Sequence, residues 1–154
     1  MTPAINLVKN ANIVHSIHQY QHDPASQSYG LEAAEKLGVS VQQVFKTLVV
    51  ESDSKELLVA IIPVCSMLNL KLIAKAANAK KAAMAAKADV ERATGFVLGG
   101  VSPLGQKKKL RTFIDKSAIH FDTIFVSAGK RGLEIELKPE DLALLSRATL
   151  AQLH

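Results

Sequence analysis

The sequence predicts a single mixed α/β or α+β domain over residues 1–154. Apolar runs with a period of two alternate with segments of helical spacing. Several predicted strands are joined by links too short for a crossover helix, which indicates antiparallel pairing. No internal repeat and no linker interrupts the pattern. A chain of 154 residues, 48% hydrophobic and 21% charged, is long and apolar enough to bury a continuous core.

The first third of the chain predicts two helices and a strand. Pro3 begins a short amphipathic helix that ends near Asn10–Asn12. Ile13–Tyr20 alternates as a strand. Leu31–Leu37 has helical spacing, and Gly38 follows it as a C-terminal cap because glycine adopts the left-handed conformation without strain.

The most strand-like stretch is Val44–Val50, which is apolar or β-branched except for one lysine. Ser40 can cap a short turn that delivers the chain to it. A polar turn at Ser52–Lys55 joins it to a second apolar strand, Leu57–Val64. Because this link is so short, we expect the two strands to pair antiparallel.

The middle of the chain is less regular. Leu70–Ala77 has helical spacing, whereas the Ala/Lys-rich run Lys80–Ala88 fits a strand and a helix equally well. Asp89–Thr94 predicts a further helical turn closed by Gly95. Phe96–Leu98 predicts a short strand that leads into a glycine-rich loop.

The last third predicts a strand, a hairpin and a helix. Phe113–Asp115 is a short apolar strand. Thr123–Ser127 and Leu133–Leu137 flank a glycine-bracketed turn, as in a β-hairpin. Pro139 begins the last helix, with acidic residues in its first turn. The residues expected to face inward on this helix are Leu142, Leu144 and Leu145.

Lys46 interrupts the apolar run of the central strand. With a period of two, it shares a face with Leu48 and Val50, while Phe45 and Val49 take the other. A lysine there must reach water, find an anion, or accept a lowered pKa. Either the side chain extends to solvent from an edge strand, or its ammonium lies in a pocket that binds an anion. The strand pattern alone leaves both interpretations open.

The loop Gly99–Gly105 is a second candidate for chemistry. Paired glycines leave backbone N–H groups uncovered, so they can bind a carbonyl oxygen or a phosphate; a plain structural turn explains the glycines equally well. The pattern matches neither the Walker loop nor the dinucleotide fingerprint. Basic residues follow this loop and the hairpin turn, and they form either a phosphate-binding patch or an ordinary solvated surface. These residues are Lys107, Lys108, Lys109, Arg111, Lys130 and Arg131.

Other reactive side chains give weaker signals. His15 and His18 fall on opposite faces of the first strand and no cysteine joins them, so a metal site with His22 is disfavoured. Tyr20 follows His18 on the same face and can point into a pocket mouth or into the core. Cys65 has no visible histidine base, which predicts a buried, unreactive thiol.

Composition limits the partners and the compartment. The formal net charge of +5 and a pI near 9.4 favour an anionic partner without identifying one. One cysteine excludes an intramolecular disulfide and a cysteine cluster for zinc. We see no signal-peptide pattern and no apolar run of transmembrane length, so the expected setting is a reduced cytoplasm without membrane contact.

Three motifs together resemble a known family. Val44–Leu48, Gly99–Lys108 and Ser127–Leu137 are similar in order and spacing to the bacterial Cys-tRNA(Pro) deacylases. These are free-standing relatives of the editing domain inserted in bacterial prolyl-tRNA synthetases. The resemblance runs nearly end to end. It implies an α/β domain with a mixed, partly barrel-like sheet surrounded by helices, and removal of cysteine from mischarged proline tRNA, with action on Cys-tRNA(Cys) as an additional activity.

The resemblance also implies roles for particular residues. Lys46 occupies the position of the family's essential lysine, and Gly99–Pro103 matches its Gly-x-x-x-Pro loop. The residues that it places at the substrate are Tyr20, Gly99, Gly100, Ser102, Ser127 and Glu134. At Glu134 the family more often has aspartate, so the longer side chain departs from the pattern. No metal or cofactor is implied.

The implied mechanism uses the substrate's own thiolate, which attacks the aminoacyl ester and leaves as a cyclic thiolactone. Catalysis then needs mainly proximity and charge stabilisation, with Lys46 at the terminal phosphate or ribose. The basic residues would contact the acceptor stem, and prolyl-tRNA synthetase would select the tRNA. Three alternatives stay open: an Ala-tRNA(Pro) deacylase of the same superfamily, a non-catalytic tRNA- or synthetase-binding module, and a Schiff-base enzyme that uses Lys46. The oligomeric state is not determined by the sequence.

Overall fold

A computed structural model describes residues 1–154. The helices are α1 (Pro3–Asn10), α2 (Tyr29–Leu37), α3 (Leu70–Ala76), α4 (Lys87–Thr94) and α5 (Pro139–Ser146), with a 3₁₀ turn at Lys116–His120. The strands are β1 (His15–Gln19), β2 (Phe45–Ser52), β3 (Leu57–Pro63), β4 (Ala82–Met84), β5 (Arg111–Asp115), β6 (Ile124–Lys130), β7 (Leu133–Leu137) and β8 (Thr149–Ala151). The predicted mixed α/β class is confirmed.

The strands form two sheets. The larger has the order β4-β2-β3-β5-β8, in which β2 pairs antiparallel with β3 and β4, whereas β3–β5 and β5–β8 are parallel. The smaller is antiparallel with the order β1-β7-β6. A single parallel bridge between Val44 and Phe125 links them. The sheets therefore approach each other at the start of β2, and no closed barrel forms.

The main hydrophobic core lies between the two sheets. It contains Val49 and Val59 from the larger sheet, Ile124 and Ile135 from the smaller one, and apolar residues of α1 and α5. A second cluster covers the opposite face of the larger sheet, where Ile73 of α3 packs against residues of β2 and β3. The alternation of β2 explains this division, since Phe45 and Val49 join the first cluster and Val50 joins the second.

Local capping explains where the helices begin and end. The Thr2 hydroxyl accepts a hydrogen bond from the Ile5 N–H at 3.2 Å, and Pro3 occupies the first turn of α1. Gly38 ends α2 and Gly95 ends α4, both in the left-handed conformation that the sequence predicts. Each helix has seven to nine residues, so none has the length and apolarity that spanning a bilayer requires.

Three expectations from the sequence are wrong. Phe96–Leu98 is not a strand; it follows the left-handed Gly95 as a turn, with the Leu98 N–H donating to the Glu91 carboxylate at 2.8 Å. Leu144 is 71% exposed because it lies two residues, or about 200°, from the buried Leu142 on α5. Cys65 is exposed rather than buried, since it occupies the turn that follows the last residue of β3.

Candidate active site

A pocket of about 270 Å³ opens where the two sheets approach each other. Four segments line it: the start of β2, the first turn of α2, the Gly99 loop and the β6–β7 hairpin. Its lining residues from the predicted set are Tyr20, Lys46, Gly99, Ser127, Lys130, Arg131 and Glu134. The fold therefore brings together residues that are more than a hundred positions apart in the chain.

Lys46 enters the pocket from β2, where its backbone pairs with Ile62 of β3. Its side chain is half-buried and takes part in none of the ion pairs of the protein. Partial burial lowers the pKa of the Lys46 ammonium, and the nearby Cys65 offsets this only in part. The pocket thus holds a cation without an internal counter-ion, which is suited to binding an anion.

Glu134 lies on β7 opposite both His18 of β1 and Ser127 of β6. Only 7% of its surface is exposed, and this burial raises the pKa of its carboxyl to about 8. Burial also raises the pKa of the Tyr20 phenol, and the proximity of Glu134 adds to the rise. At neutral pH both side chains are therefore mostly uncharged, and they present O–H donors rather than bases to the pocket.

The Gly99 loop enters the site in part. Gly99 has a φ of +95° and its N–H has no acceptor within the protein. The Gly100 N–H is already used, since it donates to the Val97 carbonyl at 2.9 Å, and so it is not free for a substrate oxygen. Ser102 is fully buried outside the pocket, where its hydroxyl accepts from the Leu104 N–H at 3.2 Å.

Arg131 of the hairpin is held against an aromatic ring at the pocket mouth. Its guanidinium carbon lies 3.3 Å from the centroid of the Tyr29 ring. A Cβ on Gly99 would come within 2.6 Å of that ring and 2.9 Å of the guanidinium, so only glycine allows this approach. His22 lies 3.4 Å from Arg131 on one side and 2.6 Å from the Glu32 carboxylate on the other.

Glu32 of α2 binds His22, which in turn contacts Arg131 at the pocket mouth. Burial alone would raise the pKa of Glu32, but hydrogen bonds from the Asp23 N–H, His22 and Lys36 hold it below its usual value. The carboxylate therefore stays ionised and orients His22. Arg131 itself has no acidic partner and remains exposed, which leaves its charge available to a ligand.

The remaining basic residues of the predicted patch lie elsewhere. Lys108, Lys109 and Arg111 border a different cleft, beside α5. Arg111 forms a two-pronged ion pair with Glu56, with both N–O distances at 2.9 Å, so its charge is matched within the protein. Lys107 is exposed and lines neither cleft. The basic residues 107–111 therefore do not form one patch with Lys130 and Arg131 of the β6–β7 hairpin.

The three histidines near the N-terminus each bind a different partner. His15 bonds to the Ile13 carbonyl and His18 to Glu136, while His22 bonds to Glu32. No three His, Cys, Asp or Glu side chains of the structure converge as metal ligands.

The model of the aminoacyl-tRNA editing domain family matches residues 23–145, which is most of the chain. The chain belongs to this family. The predicted family, and with it the predicted class of activity, are confirmed. The matched range of the editing domain contains most of the pocket, from Gln27 to Glu134, and omits only Tyr20 on the chain leading from β1.

Individual relatives agree with this assignment. A protein of Enterococcus faecalis, provisionally named as the Cys-tRNA(Pro)/Cys-tRNA(Cys) deacylase EbsC, is 42% identical over 120 residues, which are 78% of this chain and 73% of that protein. A crystal structure titled as a provisional trans-editing enzyme for prolyl tRNA synthetase covers 99% of this chain and 98% of its own, at 22% identity and a TM-score of 0.82. The hypothetical protein APE2540 has a TM-score of 0.87 at 22% identity, with 98% of each chain covered. These two structures support the fold alone.

The editing domain also has pocket residues that no sequence pattern indicates. Tyr29 and Gly30 begin α2, and the N–H groups of this first turn have no acceptor within the protein. Ser28 precedes the helix but its side chain makes no capping bond. Thr47 lines the pocket with a buried hydroxyl that has no partner. The one sequence feature at this position is Ser28, which precedes a segment of helical spacing. A serine there indicates the start of a helix and does not indicate a binding site.

Glu134→Gln is expected to change how stability depends on pH. The folded-state pKa of Glu134, about 8, lies above the ordinary value of 4.5, so the folded protein holds this proton more tightly than the unfolded chain does. The stabilisation is therefore complete below pH 4.5 and is lost as the pH rises through 8, by at most about 5 kcal/mol. Denaturant unfolding across this range should show a falling free energy for the wild type and a flatter profile for the variant. Parallel profiles would contradict the assignment.

Proposed function

We propose that this editing domain is an aminoacyl-tRNA deacylase that acts in trans and removes cysteine from Cys-tRNA(Pro), and also from Cys-tRNA(Cys). One observation carries the proposal. The pocket has several groups that can bind an anion, but it has no hydroxyl or thiol in contact with a side chain that could act as its base. Ser127 donates to the Gly100 carbonyl at 3.3 Å and accepts from the Gly129 N–H at 3.1 Å, and the hydroxyls of Ser28 and Thr47 have no base as a hydrogen-bond partner. No histidine lines the pocket. Such a site suits a substrate that carries its own nucleophile.

The cations of the pocket fit the 3′ end of a tRNA. Lys46 reaches the pocket from β2, and Lys130 and Arg131 reach it from the hairpin. The first turn of α2 adds N–H groups without acceptors, which favour negative charge at a helix N-terminus. We assign the terminal phosphate and ribose to this side of the pocket. The aminoacyl ester then extends toward Gly99 and Glu134.

The chemical step needs no protein nucleophile. The thiolate of the bound cysteinyl group attacks its own ester carbonyl, forming a sulfur–carbon bond. The bond from that carbon to the ribose oxygen then breaks. The tRNA leaves with the electron pair and gains a proton from water to restore its hydroxyl, while cysteine leaves as a four-membered thiolactone. Because the thiolate and the ester belong to the same molecule, the pocket contributes by holding them in the geometry of attack. The free Gly99 N–H would stabilise the developing oxyanion, at about 3–4 kcal/mol for a well-placed donor, while the Lys46 ammonium holds the terminal phosphate and so orients the ester.

A second candidate is an Ala-tRNA(Pro) deacylase of the same superfamily, which would need a water molecule as nucleophile. The name of the Enterococcus faecalis relative favours cysteine. The pocket also presents no clear base to activate water, because Glu134 and Tyr20 are mostly protonated at neutral pH. We further infer that the tRNA is selected by a partner, prolyl-tRNA synthetase, since the pocket is sized for an aminoacyl terminus rather than for a tRNA body.

Deacylation of Cys-tRNA(Pro) and Ala-tRNA(Pro), measured side by side with the purified protein, tests the proposal. We expect rapid loss of the cysteinyl group and no loss of the alanyl group beyond the uncatalysed rate. Preferential loss of alanine would replace the substrate with the second candidate. If neither substrate loses its amino acid while tRNA still binds, the protein is a binding module and the proposal fails.

A further inference from the structure

A second cleft, between α3 and β4, is bordered by four lysines. This α3–β4 cleft has a volume of about 460 Å³. Its basic residues are Lys71, Lys75, Lys80 and Lys81. None of them belongs to the basic runs that the sequence motifs single out. The cleft has no role in the function proposed above.

The four ammonium groups are unpaired. All four lysines are exposed, and none takes part in an ion pair of the protein. Asp53 is close to Lys80, but its carboxylate accepts hydrogen bonds from the main-chain N–H groups of Lys80 and Lys81, at 3.0 and 3.2 Å. Asp53 therefore fixes the backbone of the cleft rather than matching its lysine side chains. The result is a concave surface with a strong positive field.

The lining of the cleft favours a nucleic acid over a protein partner. Protein–protein interfaces are depleted in lysine and are anchored by aromatic, methionine or arginine side chains. The cleft has none of these, and its apolar members are Leu70 and three alanines. Flexible lysine ammonium groups instead neutralise phosphates without reading bases. Lys71 and Lys75 are one helical turn apart on α3, so their side chains project side by side along one strand of phosphates.

The cleft lies on the same face of the larger sheet as Lys46 but toward the other end of β2, where β4 pairs with Val50–Ser52. Leu48 lines the pocket and Leu70 lines the cleft, and both pack against the same hydrophobic cluster on the α3 face of the larger sheet. The run Lys107–Lys109 belongs to the other face, where Leu110 and Leu145 pack against the main core. A duplex whose end enters the pocket can lie along the first face without reaching the second.

We propose that the α3–β4 cleft binds the phosphate backbone of the acceptor stem of the tRNA whose 3′ end occupies the Lys46 pocket. This inference rests on the proposed function, which supplies the tRNA substrate. The cleft contributes affinity for the tRNA and orients its acceptor stem, and the pocket recognises the amino acid. Lys71, Lys75 and Lys81 are contacts to the duplex, and Lys80 adds to the field from its place beside Asp53.

The test compares two triple variants with the same change in charge, K71Q/K75Q/K81Q and K107Q/K108Q/K109Q. All six lysines are exposed and outside ion pairs, so both variants should fold. Binding of tRNA(Pro) that carries no amino acid is measured over a range of salt concentrations. For the cleft variant, we expect affinity at low salt to fall about tenfold or more and the slope of log K against log salt to decrease by about 2–3. The control variant should change affinity by less than about threefold through its weaker general field.

Deacylation of a cysteinyl ester of the terminal adenosine, which lacks a stem, should be the same for both variants. Equal losses of tRNA binding in the two variants would assign the effect to net charge and overturn the proposal. Unchanged tRNA binding by the cleft variant would also overturn it, and weakened association with prolyl-tRNA synthetase would then assign the cleft to a protein. The probe is tRNA without an amino acid, so the binding result can be interpreted even if the protein shows no deacylation. Failure of this inference can therefore be told apart from failure of the proposed function.

Discussion

Replacement of Lys46 by alanine is expected to lower kcat/KM for Cys-tRNA(Pro) deacylation by about 100-fold or more, because Lys46 holds the terminal phosphate and a misplaced ester can cost that much in rate. The ammonium lies in the pocket with no acidic partner to replace it, and the other pocket cations are on the hairpin rather than on β2. No other group on β2 can supply the lost charge. The measurement is single-turnover deacylation with the variant in excess over the tRNA.

Stability measured on the same variants separates catalysis from folding. Partial burial lowers the pKa of Lys46, which means that the folded state disfavours its charge. Lys46→Met should therefore keep or raise the Tm while losing the same activity as Lys46→Ala. Lys87, an exposed lysine at the start of α4, provides a matched control, and Lys87→Ala should retain wild-type rates. Wild-type turnover by Lys46→Ala would remove Lys46 from the mechanism.

Gly105→Ala is expected to cause the largest loss of stability of any single glycine substitution in the Gly99 loop. Gly105 has a φ of +74°, and a Cβ there would lie 2.6 Å from the Pro3 carbonyl carbon and 2.8 Å from the Ala4 nitrogen. These are backbone atoms at the start of α1, which cannot rotate away. The conformational strain and the clash together should cost about 3 kcal/mol, or roughly 10 °C in Tm.

Gly38→Ala is the matched control for this effect. Gly38 has a similar φ of +68°, but no atom lies within 4 Å of the position of its Cβ. It should lose only the conformational contribution, about 1 kcal/mol, or about 3 °C in Tm. Thermal unfolding of both variants measures the difference. Equal Tm values would show that the loop moves freely away from α1, and the packing described between them would be wrong.

The sequence predicted the elements whose signals are local. The antiparallel pair β2–β3 followed from two apolar runs and one short polar turn, and the ends of α2 and α4 followed from Gly38 and Gly95. β4 and β8 have three residues each, too few for a period of two to be recognised. Their strand conformation comes from pairing with β2 and β5, which no local pattern reports.

The candidate site was predictable in the same uneven way. Lys46 was conspicuous because it breaks an apolar strand, and the Gly99 loop because of its paired glycines. Tyr29 joins the pocket only because α2 packs beside the hairpin that carries Arg131, a contact across about a hundred residues of sequence. The lysines of the α3–β4 cleft gave no local signal either, because the cleft forms only where α3 and β4 come together. Roles for the pocket residues stay predictions until the variants above are measured.

The most direct test of the account replaces one atom of the substrate. Ser-tRNA(Pro) has a hydroxyl where Cys-tRNA(Pro) has a thiol, and the two molecules differ in no other group. If the substrate's thiolate is the nucleophile, the wild-type protein should release cysteine, by way of a thiolactone that an added amine nucleophile can trap. It should leave the seryl ester intact, because a hydroxyl is far less ionised than a thiol near neutral pH. Comparable release of serine, or release of free cysteine with no trappable thiolactone, would contradict the proposed mechanism.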